Sequence, residues 1–344
     1  MLRAVEHLAE LTAYRDRDAL DVSLATTLKD LLAPLSIAVY RCVGEADAQH
    51  WILRARITPQ DLIATADPLW VEITSLPRVS EVPDRQACLL SRQMHTTTGS
   101  STQTFFPLGN GVDVHGVVEI ETESALDTES LRLVGSMLRV FRNFQDLLDY
   151  SERDTLTGLL NRKTFDDSLL RLMSPAPAAA ALTGATPELR RQPEPGVLYL
   201  AVIDIDHFKR VNDNYGHLIG DEVLLLLSRL MRSSFRFQDQ LYRFGGEEFV
   251  VLMRCAQGAD AAIAFERLRS NVERYVFPQV GHITISAGFT ELRPNDSPTT
   301  AFDRADKAVY HAKQNGRNQV HHHALLVAAG KLADESRDSE VELF

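Results

Sequence analysis

Two acidic pairs stand out in the chain. Asp204 and Asp206 close a continuous apolar run, Val197-Leu-Tyr-Leu-Ala-Val-Ile. Such a run reads as a strand buried on both faces, so carboxylates at its end leave the core toward solvent or a ligand. Glu247 and Glu248 follow the glycine pair Gly245-Gly246, between two strand-like stretches, Gln240-Leu-Tyr-Arg-Phe and Phe249-Val-Val-Leu-Met. Glycines there tolerate positive φ and let a ligand approach the backbone. Taken singly, each carboxylate is a solvated strand end. Converging from neighbouring strands, they make a hard-oxygen site suited to Mg²⁺. Such a site handles nucleotide phosphates and lowers the pKa of an attacking hydroxyl. Lys209 follows the Asp pair, and Lys313 and Arg317 flank the end of the last amphipathic helix. Cations there serve a triphosphate, or simply stabilise a helix C-terminus.

The elements that must position these groups read strand, helix, hairpin, helix, strand, helix. Gly220-Asp-Glu-Val opens a helix with acidic residues in its first turn; Ala259 to Val276 is an amphipathic helix; His282 to Gly288 is a strand; and Ala301 to Gln314 is a helix ended by Asn315-Gly316. Helices alternating with strands around a hairpin predict a split βαβ, ferredoxin-like sandwich. Residues 174–196, rich in Pro, Ala and Gly, read as a flexible surface insertion in this domain. His321, His322 and His323 are consecutive, so a strand would send them to alternate faces and not to one metal.

The chain has 344 residues, which predicts two domains. Apolar content of 44% and charged content of 24% are those of a globular protein. The net charge of −11 argues against nucleic-acid binding. No apolar run reaches the roughly 18 residues of a membrane span, and no signal core opens the sequence. Cys42, Cys88 and Cys255 show neither metal-ligand nor disulfide spacing, which predicts a cytoplasmic location.

Residues 1–126 mix a helix around Leu8–Leu28, strands at Ile37–Arg41 and Trp51–Ala55, and a hairpin from Phe105 to Glu121 through Gly109-Asn-Gly. Asp127 or Thr128 caps a following helix, over 127–153, with Leu131, Val134, Leu138, Phe141, Phe144 and Leu148 in one stripe. This stripe either packs on its own domain or forms a coiled-coil linker joining two chains, and we take the latter as the expectation.

The second domain resembles the GGDEF family, the diguanylate cyclases. Four ordered segments carry the resemblance: Asp154-Thr-Leu-Thr-Gly-Leu-Leu-Asn-Arg162, Asp204-Ile-Asp-His-Phe-Lys through Gly220-Asp221, Arg243-Phe-Gly-Gly-Glu-Glu-Phe249, and Ala305-Asp-Lys-Ala-Val-Tyr through Arg317-Asn318. The insertion at 174–196 is longer than the family pattern suggests. The resemblance implies a nucleotidyl-cyclase-type domain over 154–325 that joins two GTP into cyclic di-GMP and releases two pyrophosphates, as a homodimer. It implies two Mg²⁺ per site, with Mn²⁺ an alternative, held by Asp204, the Ile205 carbonyl and Glu247. Glu247 would also deprotonate the attacking hydroxyl, with Glu248 supporting it and Lys209 stabilising charge on the phosphate. Asn212 and Asp221 would read guanine with His217 nearby, Gly245 and Gly246 would line the substrate, and Lys313 and Arg317 would hold the β and γ phosphates. Asp206 matches the motif and is assigned a supporting part.

Arg236-Phe-Gln-Asp239 resembles the family's inhibitory RxxD motif. Arg236 and Asp239 would bind cyclic di-GMP, with Arg267 their partner and Arg269 its competitor; the plain alternative is a surface ion pair. The first domain looks like a GAF sensory domain, a PAS-like domain being the alternative, and residues 326–344 read as an acidic tail. The rival to an active cyclase is a non-catalytic cyclic di-GMP receptor. The intact Gly245-Gly246-Glu247-Glu248 disfavours it.

Overall fold

A computed structural model describes residues 17–44, 48–67, 71–110, 113–173 and 196–333. The chain divides into two compact units, Met1–Ser151 and Glu152–Phe344.

The first unit is built on an antiparallel sheet of β1 (Ser36–Val43), β2 (His50–Ile57), β3 (His95–Thr98), β4 (Thr102–Asn110) and β5 (Asp113–Thr122), in the order β2-β1-β5-β4-β3. Strand alternation sorts its side chains into two layers. Ile37 and Val39 face helices α1 (Arg17–Leu32) and α3 (Thr128–Glu152), in a core with Leu20, Leu24, Val118 and Phe141. Ala38 and Tyr40 face the other way, onto Trp51, Val79 and Cys88, the last from α2 (Pro83–Ser91). A buried ion pair, Arg41 Nη2 to Asp21 Oδ1 at 2.7 Å, ties α1 to the sheet. The tip of the β4–β5 hairpin, 111–112, and the predicted helix before residue 17 lie outside the described residues.

Asp127 caps α3 by accepting the Ser130 N–H at 2.7 Å. The predicted stripe is the face this helix buries in its own unit: Val134, Leu138, Phe141 and Leu148 join the core, with Leu131 and Phe144 packed against it. A seam between two chains must therefore use the opposite face, where Leu147 and Tyr150 are exposed. The three cysteines are free thiols.

The second unit carries a six-stranded sheet in the order β11-β10-β7-β9-β8-β6. Its strands are β6 (Leu160–Asn161), β7 (Val197–Ile205), β8 (Gln240–Gly245), β9 (Glu248–Cys255), β10 (Ile285–Glu291) and β11 (Val320–His322). Helices α4 (Arg162–Met173), α5 (Phe208–Tyr215), α6 (His217–Ser234), α7 (Gly258–Arg274), α8 (Pro298–Gln314) and α9 (His323–Ala328) connect them. The apolar run 197–205 is the central strand, antiparallel to both β9 and β10. Its residues alternate between two cores: Ala201, Ile203 and Ile205 pack with α6 and α7, while Leu200 and Val202 pack with α4 and α8. From β7 to α8 the mixed α/β order is strand, two helices, hairpin, helix, strand and helix, one helix more than predicted.

Three boundaries differ from the sequence expectation. Helix α6 starts at His217 rather than Gly220, because Gly216 at φ 83° ends α5 and the next helix begins at once. Asp221 and Glu222 thus lie beyond its first turn. Strand β10 starts at Ile285 rather than His282, since a tight Phe277–Gly281 turn occupies the preceding chain. Inside the stretch read as a tail, α9 is helical and buries Leu326. The predicted insertion lies outside the described residues except for Gly196.

Candidate active site

The end of β7 and the β8–β9 turn meet by register. Asp204 pairs with Glu248 across the sheet, and Glu248 also faces Gly245. Gly245 and Gly246 adopt φ of 136° and 53°, values that make this turn a glycine turn. Asp204 is buried, while Glu247 and Glu248 are half-buried. The last turn of α8 brings Lys313, whose Nζ lies 2.8 Å from Asp204 Oδ2. The other oxygen, Asp204 Oδ1, is buried and accepts no hydrogen bond.

Desolvation dominates the electrostatics. Burial pushes Asp204 up to about 6; Lys313 opposes this, and Glu247 and Glu248 add to it. Glu247 is also raised, by burial first and by Glu248 second, against the pull of Lys313. Carboxylates crowded in this way favour a bound cation.

Among the described residues no three His, Cys, Asp or Glu side chains are grouped closely enough to hold an ion alone. Mg²⁺ does not require that. It is commonly bound by one or two carboxylates and completed by water and substrate phosphates. The unpartnered Asp204 Oδ1 supplies the missing acceptor, so this donor set fits a hard divalent cation.

Arg243 fixes the turn from outside. Its Nε and Nη2 donate to the Gly246 carbonyl at 3.2 and 2.9 Å, and its Nη1 donates to Asp154 Oδ1 at 3.0 Å. Asp154 also accepts the Thr157 N–H and hydroxyl at 2.8 and 2.6 Å, which hold its carboxyl below the usual range against the effect of burial. The entry segment at 154–162 is thereby clamped to the glycine turn.

Other predicted residues lie on α5, α6 and the chain after α8. Lys209, His217 and Asp221 are exposed, and Asn212 is half-buried. Gly220 makes room for Asn212: a Cβ at 220 would stand 2.0 Å from Asn212 Oδ1. Arg317 follows α8 at φ 62°, its N–H donating to the Ala312 carbonyl at 2.9 Å. The structure brings Asp204, Glu247, Glu248 and Lys313 into one electrostatic cluster. It places the predicted guanine-reading residues on the neighbouring helix pair.

Arg236 and Asp239 do not lie on a helix. They bracket a turn before β8, with the Arg236 N–H donating to Asp239 Oδ2 at 2.9 Å. Asp239 is buried, its Oδ1 accepts no hydrogen bond, and desolvation pushes it up to about 6. The Arg236 N–H and the charges of Arg236 and Arg267 pull in the other direction. Arg269 is engaged elsewhere, with Glu266, Glu273 and Asn318.

Sequence reasoning missed the Arg243–Asp154 clamp. Both residues sit inside quoted motifs, but 89 positions separate them and nothing local signals the pairing.

Residues 151–319 match the family model described as diguanylate cyclase, GGDEF domain. The chain is 39% identical over 170 residues to diguanylate cyclase DgcP of Pseudomonas aeruginosa, across 48% of this chain and 23% of that protein. It is 37% identical over 172 residues to diguanylate cyclase DgcZ of Escherichia coli, across 49% and 52%. A solved GGDEF domain of DgcB from Caulobacter crescentus, in complex with c-di-GMP, is 34% identical over 50% of this chain and 96% of that one, with a TM-score of 0.43. The alignments span from a quarter to a half of the two curated relatives' own lengths. The four motif segments and the matched region coincide, and the second unit of this chain is a GGDEF domain of the diguanylate cyclase family.

Proposed function

We propose that the chain condenses two GTP into cyclic di-GMP and two pyrophosphates. The observation that carries this reading is the desolvated carboxylate cluster: Asp204 with an unpartnered buried oxygen, Glu247 and Glu248 beside it, and Lys313 within 2.8 Å. Asp204, Glu247 and the Ile205 carbonyl are the groups that would hold Mg²⁺, two ions per site. Bound there, the metal supplies Lewis-acid polarisation of phosphate oxygens and acidifies the attacking hydroxyl.

The chain's own residues do the rest. Asn212 and Asp221 orient guanine, an amide and a carboxylate matching its donor and acceptor edge, with His217 beside the nucleoside. Lys313 and Arg317 hold the β and γ phosphates. The 3′-hydroxyl of one GTP attacks the α-phosphate of the other, and pyrophosphate leaves. Glu247 accepts the hydroxyl proton, a task that its raised pKa favours. Glu248 supports it, and Lys209 offsets charge developing on the α-phosphate. Each domain binds one GTP, so two chains must face each other. We assign this pairing to a homodimer regulated through the β-rich first unit, which we read as a GAF-like sensor in the cytoplasm. Among the described residues no helix is long and apolar enough to cross a membrane.

Product inhibition is part of the proposal. Arg236 and Arg267 offer cations, and Asp239 offers an unpartnered buried oxygen, for a second molecule of cyclic di-GMP. The reading is tested by nucleotide selectivity. GTP yields a cyclic dinucleotide at a rate that rises faster than linearly with protein concentration, and ATP yields none. Equal turnover of the two, or a rate strictly linear in protein at all concentrations, contradicts it.

A further inference from the structure

Asp206 lies two residues beyond Asp204 and is buried, yet none of the chemistry above uses it. Its carboxylate is fully engaged. Oδ1 accepts the Ser286 hydroxyl at 2.7 Å, and Oδ2 accepts both the Thr284 hydroxyl at 2.7 Å and the Asn318 N–H at 3.0 Å. Its own N–H donates to the Thr284 carbonyl at 2.9 Å. Three of these bonds fasten the end of β7 to the start of β10. The fourth reaches 112 positions along the chain, to the turn that follows α8.

That turn is unusual. Gly316, Arg317 and Asn318 lie consecutively at φ of 112°, 62° and 49°. Glycine and asparagine tolerate this region, whereas an arginine persists there only where the surroundings impose the conformation. The constraints are visible. The Arg317 N–H is tied to Ala312, and the Asn318 N–H is tied to Asp206. The Asn318 side chain is held from α7, donating to Glu273 Oε1 at 2.7 Å and accepting from Arg269 Nη1 at 2.8 Å.

We propose that Asp206 is a positioning residue that fixes the phosphate-holding arm of the site against its metal-holding arm. This role rests on the GTP site proposed for the chain. Asp204 and Asp206 belong to the same strand end. Asp204 meets Lys313 directly, and Asp206 pins the turn that presents Arg317, four residues further on. The backbone between Lys313 and Asn318 is therefore held at both ends to one short stretch of β7. A carboxylate suits the task because three donors converge on its two oxygens. Loss of this pin frees the strained turn and lets Arg317 swing away from a triphosphate, while the guanine-reading helices stay as they are.

The test compares two ligands that differ only in the phosphates Arg317 and Lys313 would hold. Binding of a non-hydrolysable GTP analogue with Mg²⁺, and of GMP, is measured by calorimetry on wild type, Asp206→Ala and Asp206→Asn, with thermal melts alongside. Asp206→Ala weakens the GTP analogue about tenfold or more, the scale of one lost charged hydrogen bond, and changes GMP less than about threefold. Asp206→Asn falls between, because its amide oxygen can still accept the Asn318 N–H. If Asp206→Ala does not fold, the Asn variant carries the same comparison. Equal weakening of both ligands, or no weakening of the analogue in a folded variant, overturns the proposal. A wild type that binds neither nucleotide overturns the reading of the site itself.

Discussion

Lys313 Nζ lies 2.8 Å from one carboxylate oxygen of Asp204, while the other oxygen is buried without a partner. The ammonium group thus offsets half of a site that still demands positive charge. The proposed metal-holding and phosphate-holding residues are in direct contact. Lys313→Ala removes the ion pair to this carboxylate and leaves a desolvated charge. GTP turnover should fall by about 10²-fold, on the scale of a lost transition-state cation. Steady-state kinetics on the folded variant checks this, and wild-type turnover would contradict the assignment.

In the proposed reaction Glu247 accepts the hydroxyl proton. Glu247→Gln preserves size and removes the base, so turnover should fall by about 10²–10⁴-fold while the melting temperature stays within a few degrees. Activity assays and thermal melts on the same preparation check the pair of outcomes.

Burial pushes the Asp204 carboxyl up from its ordinary 3.8 to about 6. A carboxyl whose folded pKa is raised binds more protons in the folded state across roughly pH 4 to 6. Its contribution therefore favours the metal-free fold at low pH and is lost as pH rises through this window. Metal binding runs the other way, because it needs the ionised form. The rise in melting temperature produced by Mg²⁺ should be large at pH 7.5 and shrink steadily below about pH 6. Melts with and without Mg²⁺ across pH 5 to 8 check this, and a metal effect independent of pH would contradict it.

The Arg243–Asp154 ion pair is largely buried, with side-chain exposures of 11% and 21%. Asp154→Ala leaves the guanidinium without its carboxylate and removes the acceptor for Thr157. Stability should fall by about 1–3 kcal/mol, with a loosened glycine turn and a raised KM for GTP. Denaturant melts and kinetics check both effects together.

The sequence made the chemistry legible because its carriers sit where local pattern is strongest. Asp204 ends an unbroken apolar strand, Glu247 and Glu248 follow a glycine pair, and Lys313 ends an amphipathic helix. What joins them was not legible. The Arg243–Asp154 and Asp206–Asn318 contacts are non-local, and no propensity reports which polar groups a fold will bring together. The stripe on α3, expected to join two chains, packs in its own unit, because periodicity does not distinguish a helix buried in its own unit from one that pairs with a second chain. Likewise Gly220 reads as a helix start, whereas its missing side chain serves Asn212: Gly220→Ala should weaken binding of GTP by displacing that amide.

The central claim is most directly tested by incubating the purified chain with GTP and Mg²⁺ and following cyclic di-GMP and pyrophosphate by mass spectrometry, with Glu247→Ala and Arg236→Ala in parallel. The account predicts product from wild type, none from Glu247→Ala, and a slowing by accumulated product that Arg236→Ala relieves. Tight binding of cyclic di-GMP without any turnover of GTP, at protein concentrations that favour pairing, would contradict it.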